Sequence, residues 1–145
     1  MSVYPGYLAH LAKDGIRQTA QELMFMLDDC IVCPHHCHVN RRRGALGYCH
    51  AGYDLEISGY EPHYGEEPPL VGRGGSGTIF FSHCNLGCVY CQNWDTSQSY
   101  GEAVKPEGLA EIMLELQQAG CHNINLVSPS HYVPQIVAAL AVAAE

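Results

Sequence analysis

Seven of the eight cysteines in this 145-residue chain fall into two tight groups, and their spacing constrains the fold more than any other feature. The first group is Cys30-x2-Cys33-x3-Cys37-x11-Cys49. The second is Cys84-x3-Cys88-x2-Cys91, and Cys121 stands alone. Clustered cysteines either form disulfides or hold metal, and the redox compartment decides between them. Met1 to Ala20 is interrupted by Pro5, His10, Lys13, Asp14, Arg17 and Gln18, so it does not read as a secretory signal. No apolar run reaches the roughly 18–20 residues of a membrane span. The expected location is therefore the cytoplasm, where grouped thiols read as metal ligands.

The four thiolates of Cys30, Cys33, Cys37 and Cys49 are enough to close a tetrahedral site. A closed site would order a stretch from Cys30 to Gly52 that has no hydrophobic periodicity. Zinc and a [4Fe-4S] cluster both suit this spacing, which does not choose between them. His35, His36, His38 and His50 crowd the group and could supplement or replace a thiolate. The second group offers only three thiolates, with no further cysteine until Cys121. Three ligands leave an open coordination position, where a metal does chemistry instead of only holding a fold. A zinc site completed by His83 is the alternative. For Cys121, beside a predicted strand, the reading is a small buried hydrophobe.

The composition is globular, 47% apolar and 15% charged. A formal net charge of −8 argues against general nucleic-acid binding, which depends on cationic contacts with phosphate. Arg41-Arg42-Arg43 is the local exception. It reads either as a solvated loop or as a docking patch for an acidic partner or redox protein.

Three segments organise the chain. Residues 1–29 form a helical lead-in, with Ile16, Ala20, Leu23, Met24 and Leu27 on one face. Asp28 and Asp29 disfavour a further helical turn, so this helix is expected to end near Leu27. Residues 30–72 hold the Cys-rich leader and an irregular connection, with a short strand around Leu55 to Gly59. The glycines from Gly72 to Gly77 read as a tight turn; no Gly-Lys-Ser/Thr follows, so a phosphate loop is rejected. Residues 73–145 begin with a buried strand at Thr78–Ser82. A long connection from His83 to Lys105 leads to a helix opened by Pro106, with Leu109, Ile112, Met113, Leu116 and Ala119 on its apolar face and Gly120 beyond its end. A second strand, Asn123–Val127, is followed by a helix opened by Pro134 and running to at least Ala144. This β-loop-α-β-loop-α alternation implies parallel strands with right-handed crossovers. The last helix leaves Ile136, Val137, Leu140 and Val142 in need of a partner, so the chain reads as a fragment of a longer α/β protein or as an obligate part of an assembly.

The stretch from Ser82 to Ser97, with Cys84, Cys88 and Cys91 directly after a strand, resembles the radical S-adenosylmethionine superfamily. A narrower resemblance runs from about Cys30 to the C-terminus. It rests on Cys30-Ile31-Val32-Cys33-Pro34-His35-His36-Cys37, on Asn40-Arg41 and on Gly44 to Cys49. It also rests on Gly65 to Leu70, Gly75 to Phe81 and Asn123 to His131, with Pro134-Gln135-Ile136. These are similar to the PflX-type proteins, homologues of the pyruvate formate-lyase activating enzyme. The resemblance implies a partial (β/α)6 barrel, of which this chain supplies the first two βα units behind its Cys-rich leader. It implies a [4Fe-4S] cluster on Cys84, Cys88 and Cys91, and S-adenosylmethionine on the fourth iron. The reduced cluster would split S-adenosylmethionine into methionine and a 5′-deoxyadenosyl radical, which abstracts a substrate hydrogen. A glycine of a glycyl radical enzyme is one such substrate, and flavodoxin or ferredoxin an electron donor. Tyr90 matches the aromatic position near the adenine. Where relatives carry Gly-Gly-Glu, this chain has Ser128-Pro129-Ser130-His131. Ser128, Ser130 or His131 would then meet S-adenosylmethionine, or a serine merely caps the helix that Pro134 starts. A non-catalytic iron–sulfur or zinc module for electron transfer or partner binding is the alternative to an enzyme.

Overall fold

The computed structural model describes residues 6–11 and 14–145. The predicted lead-in is two helices, α1 (Gly6–Leu11) and α2 (Gly15–Phe25). Ile16 and Ala20 are buried, and Leu27 is fully enclosed just beyond the last helical turn. The parts of the lead-in at positions 1–5, 12 and 13 lie outside the described residues.

The two strands predicted in the second half are where the alternation puts them. β2 (Ser76–Phe81) and β4 (Asn123–Val127) pair in parallel, in register from Ser76 with Asn123 to Phe80 with Val127. Between them runs α5 (Pro106–Gln118), with Leu109, Met113 and Leu116 buried against the sheet. α6 (Val133–Ala143) follows β4 through a 3₁₀ turn at Ser130–Tyr132. It packs between α2 and α5, burying Ile136, Ala139 and Ala141. The need for a partner along α6 is therefore largely met within the described residues, although Val142 stays 40% exposed.

The segment from 53 to 76 departs from expectation. The sequence predicts an irregular connection with a five-residue strand. The structure instead has a nine-residue strand, β1 (Leu55–His63), antiparallel to β2. Gly59 and Pro62 hide it, because both weaken intrinsic strand preference and neighbouring strands can override that preference. Register slips between Ile57 and Gly59. Pro62 lies in the half of β1 whose other flank carries no strand among the described residues, since only Leu55–Ile57 pair with β3 (Glu102–Val104). A proline is tolerated at such an edge. The short helix α3 (Pro68–Val71) fills the rest of the connection. The 83–105 stretch likewise contains structure, namely α4 (Trp94–Gln98) and β3. The result is a mixed, open four-stranded sheet in the order β3-β1-β2-β4. Its core is built on Leu55, Ile57, Ile79, Phe81, Leu109 and Tyr132.

Gly72 to Gly75 make the tight turn predicted for the glycine run, whereas Gly77 lies within β2. Gly74 passes so close to the turn after α5 that an added Cβ would lie 1.7 Å from Gly120 O, inside any permitted contact. Gly120 itself takes φ +88°, ending α5 in the left-handed region. Among the described residues no helix is long and apolar enough to cross a membrane.

Arg41-Arg42-Arg43 is not a loop of three solvated cations. It is a 3₁₀ turn capped by Asn40, whose Oδ1 accepts from Arg43 N at 2.9 Å. Arg41 is 1% exposed. Its Nε and Nη2 donate to Gly52 O at 2.8 and 2.5 Å, and its Nη1 donates to His131 O at 2.7 Å. Its guanidinium also lies 5.5 Å from the centre of the Tyr132 ring. Arg42 pairs at the surface with Asp28 at 3.0 Å, and Arg43 is exposed. One of the three like charges is structural, and two remain at the surface. Arg41→Leu should lower stability by about 2–4 kcal/mol, because it strands two carbonyl acceptors around a buried position. Arg43→Ala should stay within about 0.5 kcal/mol of wild type. Urea unfolding of the two variants checks the contrast.

Candidate metal centre

β2 and β4 run parallel, so their carboxyl ends open side by side, the usual place for a ligand in an α/β sheet. Beyond β2, His83 adopts φ +61° and starts the loop that carries Cys84, Cys88 and Cys91. Beyond β4, Ser128 adopts φ +56°. These two turns bring Ser128 Oγ to 3.7 Å from Cys84 Sγ. Ser130 Oγ donates to Asn85 Oδ1 at 3.1 Å, and Asn85 is buried. Leu86 N points at Cys84 Sγ at 3.4 Å. Cys88 and Cys91 are half-buried in one turn, closed by Cys91 N donating to Cys88 O. Tyr90 is 86% exposed, so its ring is free to be covered.

The third residue predicted at the end of β4 is placed differently. His131 is 1% exposed, and its Nε2–H donates to Ser82 O at 3.2 Å while its carbonyl accepts from Arg41. Its Nδ1 has no partner among the described residues. This ring ties β2 to the β4–α6 turn and leaves no surface for a ligand to touch.

In the leader, Cys30 and Cys33 are buried, while Cys37 and Cys49 are half-buried. Burial pushes the Cys49 thiol up; Ala51 and Arg41 oppose this, and the nearby Cys33 and Cys30 add to it. Cys37 Sγ accepts from Tyr48 N at 3.3 Å. Gly47 makes that approach workable, since a Cβ there would fall 2.9 Å from Cys37 Sγ. The surrounding histidines are largely spent elsewhere. His35 Nε2 donates to Asn85 O at 2.6 Å, and its ring stacks on Tyr48 at 3.9 Å. His38 Nδ1 meets Asp29 at 3.0 Å. His83 Nε2 sits 3.2 Å from Glu56 Oε2, off hydrogen-bond alignment, so it faces a carboxylate and not the cysteines. His36 and His50 are exposed. Cys121 is half-buried and packs against the core, as a small hydrophobe would.

All eight thiols are free. Among the described residues, no three histidine, cysteine or carboxylate side chains converge closely enough to hold a metal ion. Free thiols, three of them on one loop, are donors of the kind that an iron–sulfur group or a zinc ion takes. A polar cavity of about 510 Å³ joins the two groups, lined by Tyr48, Cys49, His83, Cys84 and Tyr100. Sequence reading misses Tyr48, Glu56 and Asn85 as parts of the site, and it reads His35 as a possible ligand without its contact to Asn85. Only long-range contacts give them a role, and no local pattern marks them.

The His131 environment has a measurable consequence. Desolvation lowers its pKa from 6.5 to about 4, with Arg41 and His83 acting in the same direction and the Ser82 bond opposing. The folded state therefore binds fewer protons than the unfolded state between those values. The stability this preserves is complete above pH 6.5 and is lost as pH falls through 6.5 towards 4, to a total of about 3 kcal/mol. His131→Gln keeps a donor to Ser82 O and should flatten that part of the profile. Urea unfolding at pH 7.5 and pH 5 checks it; equal pH dependence in both proteins would contradict the assignment.

No family profile matches this chain, and no solved structure does. An uncharacterized protein of Methanocaldococcus jannaschii is 44% identical over 80 residues, covering 54% of this chain and 22% of the relative. The match thus spans about a fifth of that protein's length.

Proposed function

We propose that this chain is the iron–sulfur portion of a radical S-adenosylmethionine protein of the activating-enzyme type. One observation carries the reading: three free thiols sit on the loop at the carboxyl end of β2, with Ser128 from the adjacent parallel strand turned onto the first of them. In this reading β2-α5-β4-α6 forms the first two βα units of a partial (β/α)6 barrel. Cys84, Cys88 and Cys91 would hold a [4Fe-4S] cluster that takes S-adenosylmethionine. When bound there, such a cluster would supply the electron for reductive cleavage of S-adenosylmethionine to methionine and a 5′-deoxyadenosyl radical. The protein's own residues orient and enclose. Ser128 and Ser130 steady the loop and offer hydroxyls beside it, and the exposed ring of Tyr90 is available to stack on adenine. Cys30, Cys33, Cys37 and Cys49 hold a second iron–sulfur cluster or zinc. The substrate class is a carbon-bound hydrogen, with a glycine of a glycyl radical enzyme as the proposed target. A flavodoxin or ferredoxin is the proposed cytoplasmic electron donor.

A non-catalytic metal module is the second reading. The burial of Cys30 and Cys33 favours it, because a closed site built into the core needs no open face.

Anaerobic reconstitution with iron and sulfide, followed by reduction, should give a protein whose electron paramagnetic resonance signal shifts when S-adenosylmethionine is added. An unchanged signal would favour the module. Cys84→Ala, Cys88→Ala and Cys91→Ala should each lose the loop cluster, about four irons per chain if it is [4Fe-4S]. A full iron load in any of them would contradict the ligand set. Tyr90→Ala should weaken S-adenosylmethionine binding about tenfold or more while iron content holds. Unchanged binding would remove Tyr90 from its role.

A further inference from the structure

The loop that carries Cys84 and Cys88 is held from two sides. The β4–α6 turn holds it through Ser128 and Ser130. The leader holds it through His35 and Tyr48. His35 lies between Cys33 and Cys37, and its Nε2–H donates to the main-chain carbonyl of Asn85 at 2.6 Å. Asn85 directly follows Cys84, so the bond fixes the main chain next to a ligand thiol. The His35 ring stacks on Tyr48 with an interplanar angle of 19°. Tyr48 is itself placed by two leader cysteines: it precedes Cys49, and its N–H donates to Cys37 Sγ at 3.3 Å. Its hydroxyl covers Gly87, where an added Cβ would lie 3.2 Å away with no other atom within 4 Å. Asn85 is 6% exposed, so the carbonyl end of the clamp is enclosed, while His35 and Tyr48 reach it from the surface.

We infer that the leader is a positioning device for the second group: the order imposed by its four thiols passes through His35 and Tyr48 to Asn85 and Gly87, and so fixes where Cys84 and Cys88 point. Both clamp residues lie beside leader cysteines and both end on the loop. Whatever metal closes the leader therefore orders the clamp as well. The metal-dependent part rests on the reading of both groups as metal sites, whereas the clamp itself does not.

The test uses anaerobically purified protein of residues 1–145 and amide hydrogen exchange, read separately over 84–88 and over α5. His35→Phe keeps the stack on Tyr48 and removes the donor to Asn85 O. It should speed exchange over 84–88 about tenfold and leave α5 unchanged. His35→Gln retains an N–H near the same place and should restore slow exchange. The electron paramagnetic resonance line shape of the reduced loop cluster should move in His35→Phe and return in His35→Gln. Cys33→Ala, which disrupts the leader site, should raise exchange over 84–88 to the His35→Phe level. The double variant should add nothing further. If Cys33→Ala also loosens α5, it has unfolded, and the His35 pair alone decides.

Unchanged exchange over 84–88 in His35→Phe overturns the clamp, even where 5′-deoxyadenosine is produced. Faster exchange in His35→Phe with zinc in place of iron supports the clamp while removing the radical reading.

Discussion

A cation buried with no carboxylate partner among the described residues is the constraint on which the rest depends. Arg41 lies at the junction of the leader, the segment entering β1 and the turn after β4. It satisfies its guanidinium on main-chain carbonyls and the face of Tyr132. Carbonyl dipoles and a ring quadrupole offset only part of the desolvation of such a charge, so the arrangement tolerates little displacement. Because one arm of the fork ends on His131 O, the turn holding Ser128 and Ser130 cannot shift independently of the leader. The second arm, on Gly52 O, fixes where β1 begins. The candidate metal loop is thus framed by a single side chain that touches none of its cysteines.

The sheet adds direction to that frame. Its parallel pair places two loops at one end. The antiparallel β1 covers the other flank of β2 and brings the leader in at that same end, since Ile57 pairs with Phe81. His83 faces Glu56 from β1. The antiparallel strand therefore supplies a half-buried carboxylate behind the cysteine loop, and the parallel strand supplies hydroxyls in front of it. Both sides of the loop are polar while the floor, through Phe81 and Tyr132, is apolar.

How far this is legible in the sequence depends on the range of each signal. α5 and β4 are readable because Pro106, Gly120 and the apolar spacing act within a few residues. The two cysteine groups are readable because ligand spacing is also local. β1 is not, since Gly59 and Pro62 lower its intrinsic preference and its order comes from pairing with β2. Arg41 is not, since three consecutive arginines look alike until tertiary packing encloses one. His35 and Asn85 are 50 residues apart, and no local pattern announces their contact. The grouped histidines are legible as a cluster, but the carbonyl that meets His35 and the carboxylates that meet His38 and His83 are not.

Four of those histidines share another property. His36, His38, His50 and His83 all have positive φ, and each is bonded in sequence to a cysteine. A side chain in that region costs on the order of 1 kcal/mol, which glycine would avoid. At each of these points the chain reverses abruptly beside a thiol. For His38 and His83 the residue that bears the steric cost also reaches a carboxylate, so imidazole and bend are fixed together. Glycine at either position would relax the backbone but release the carboxylate, and the thiol beside it would be left on a hinge.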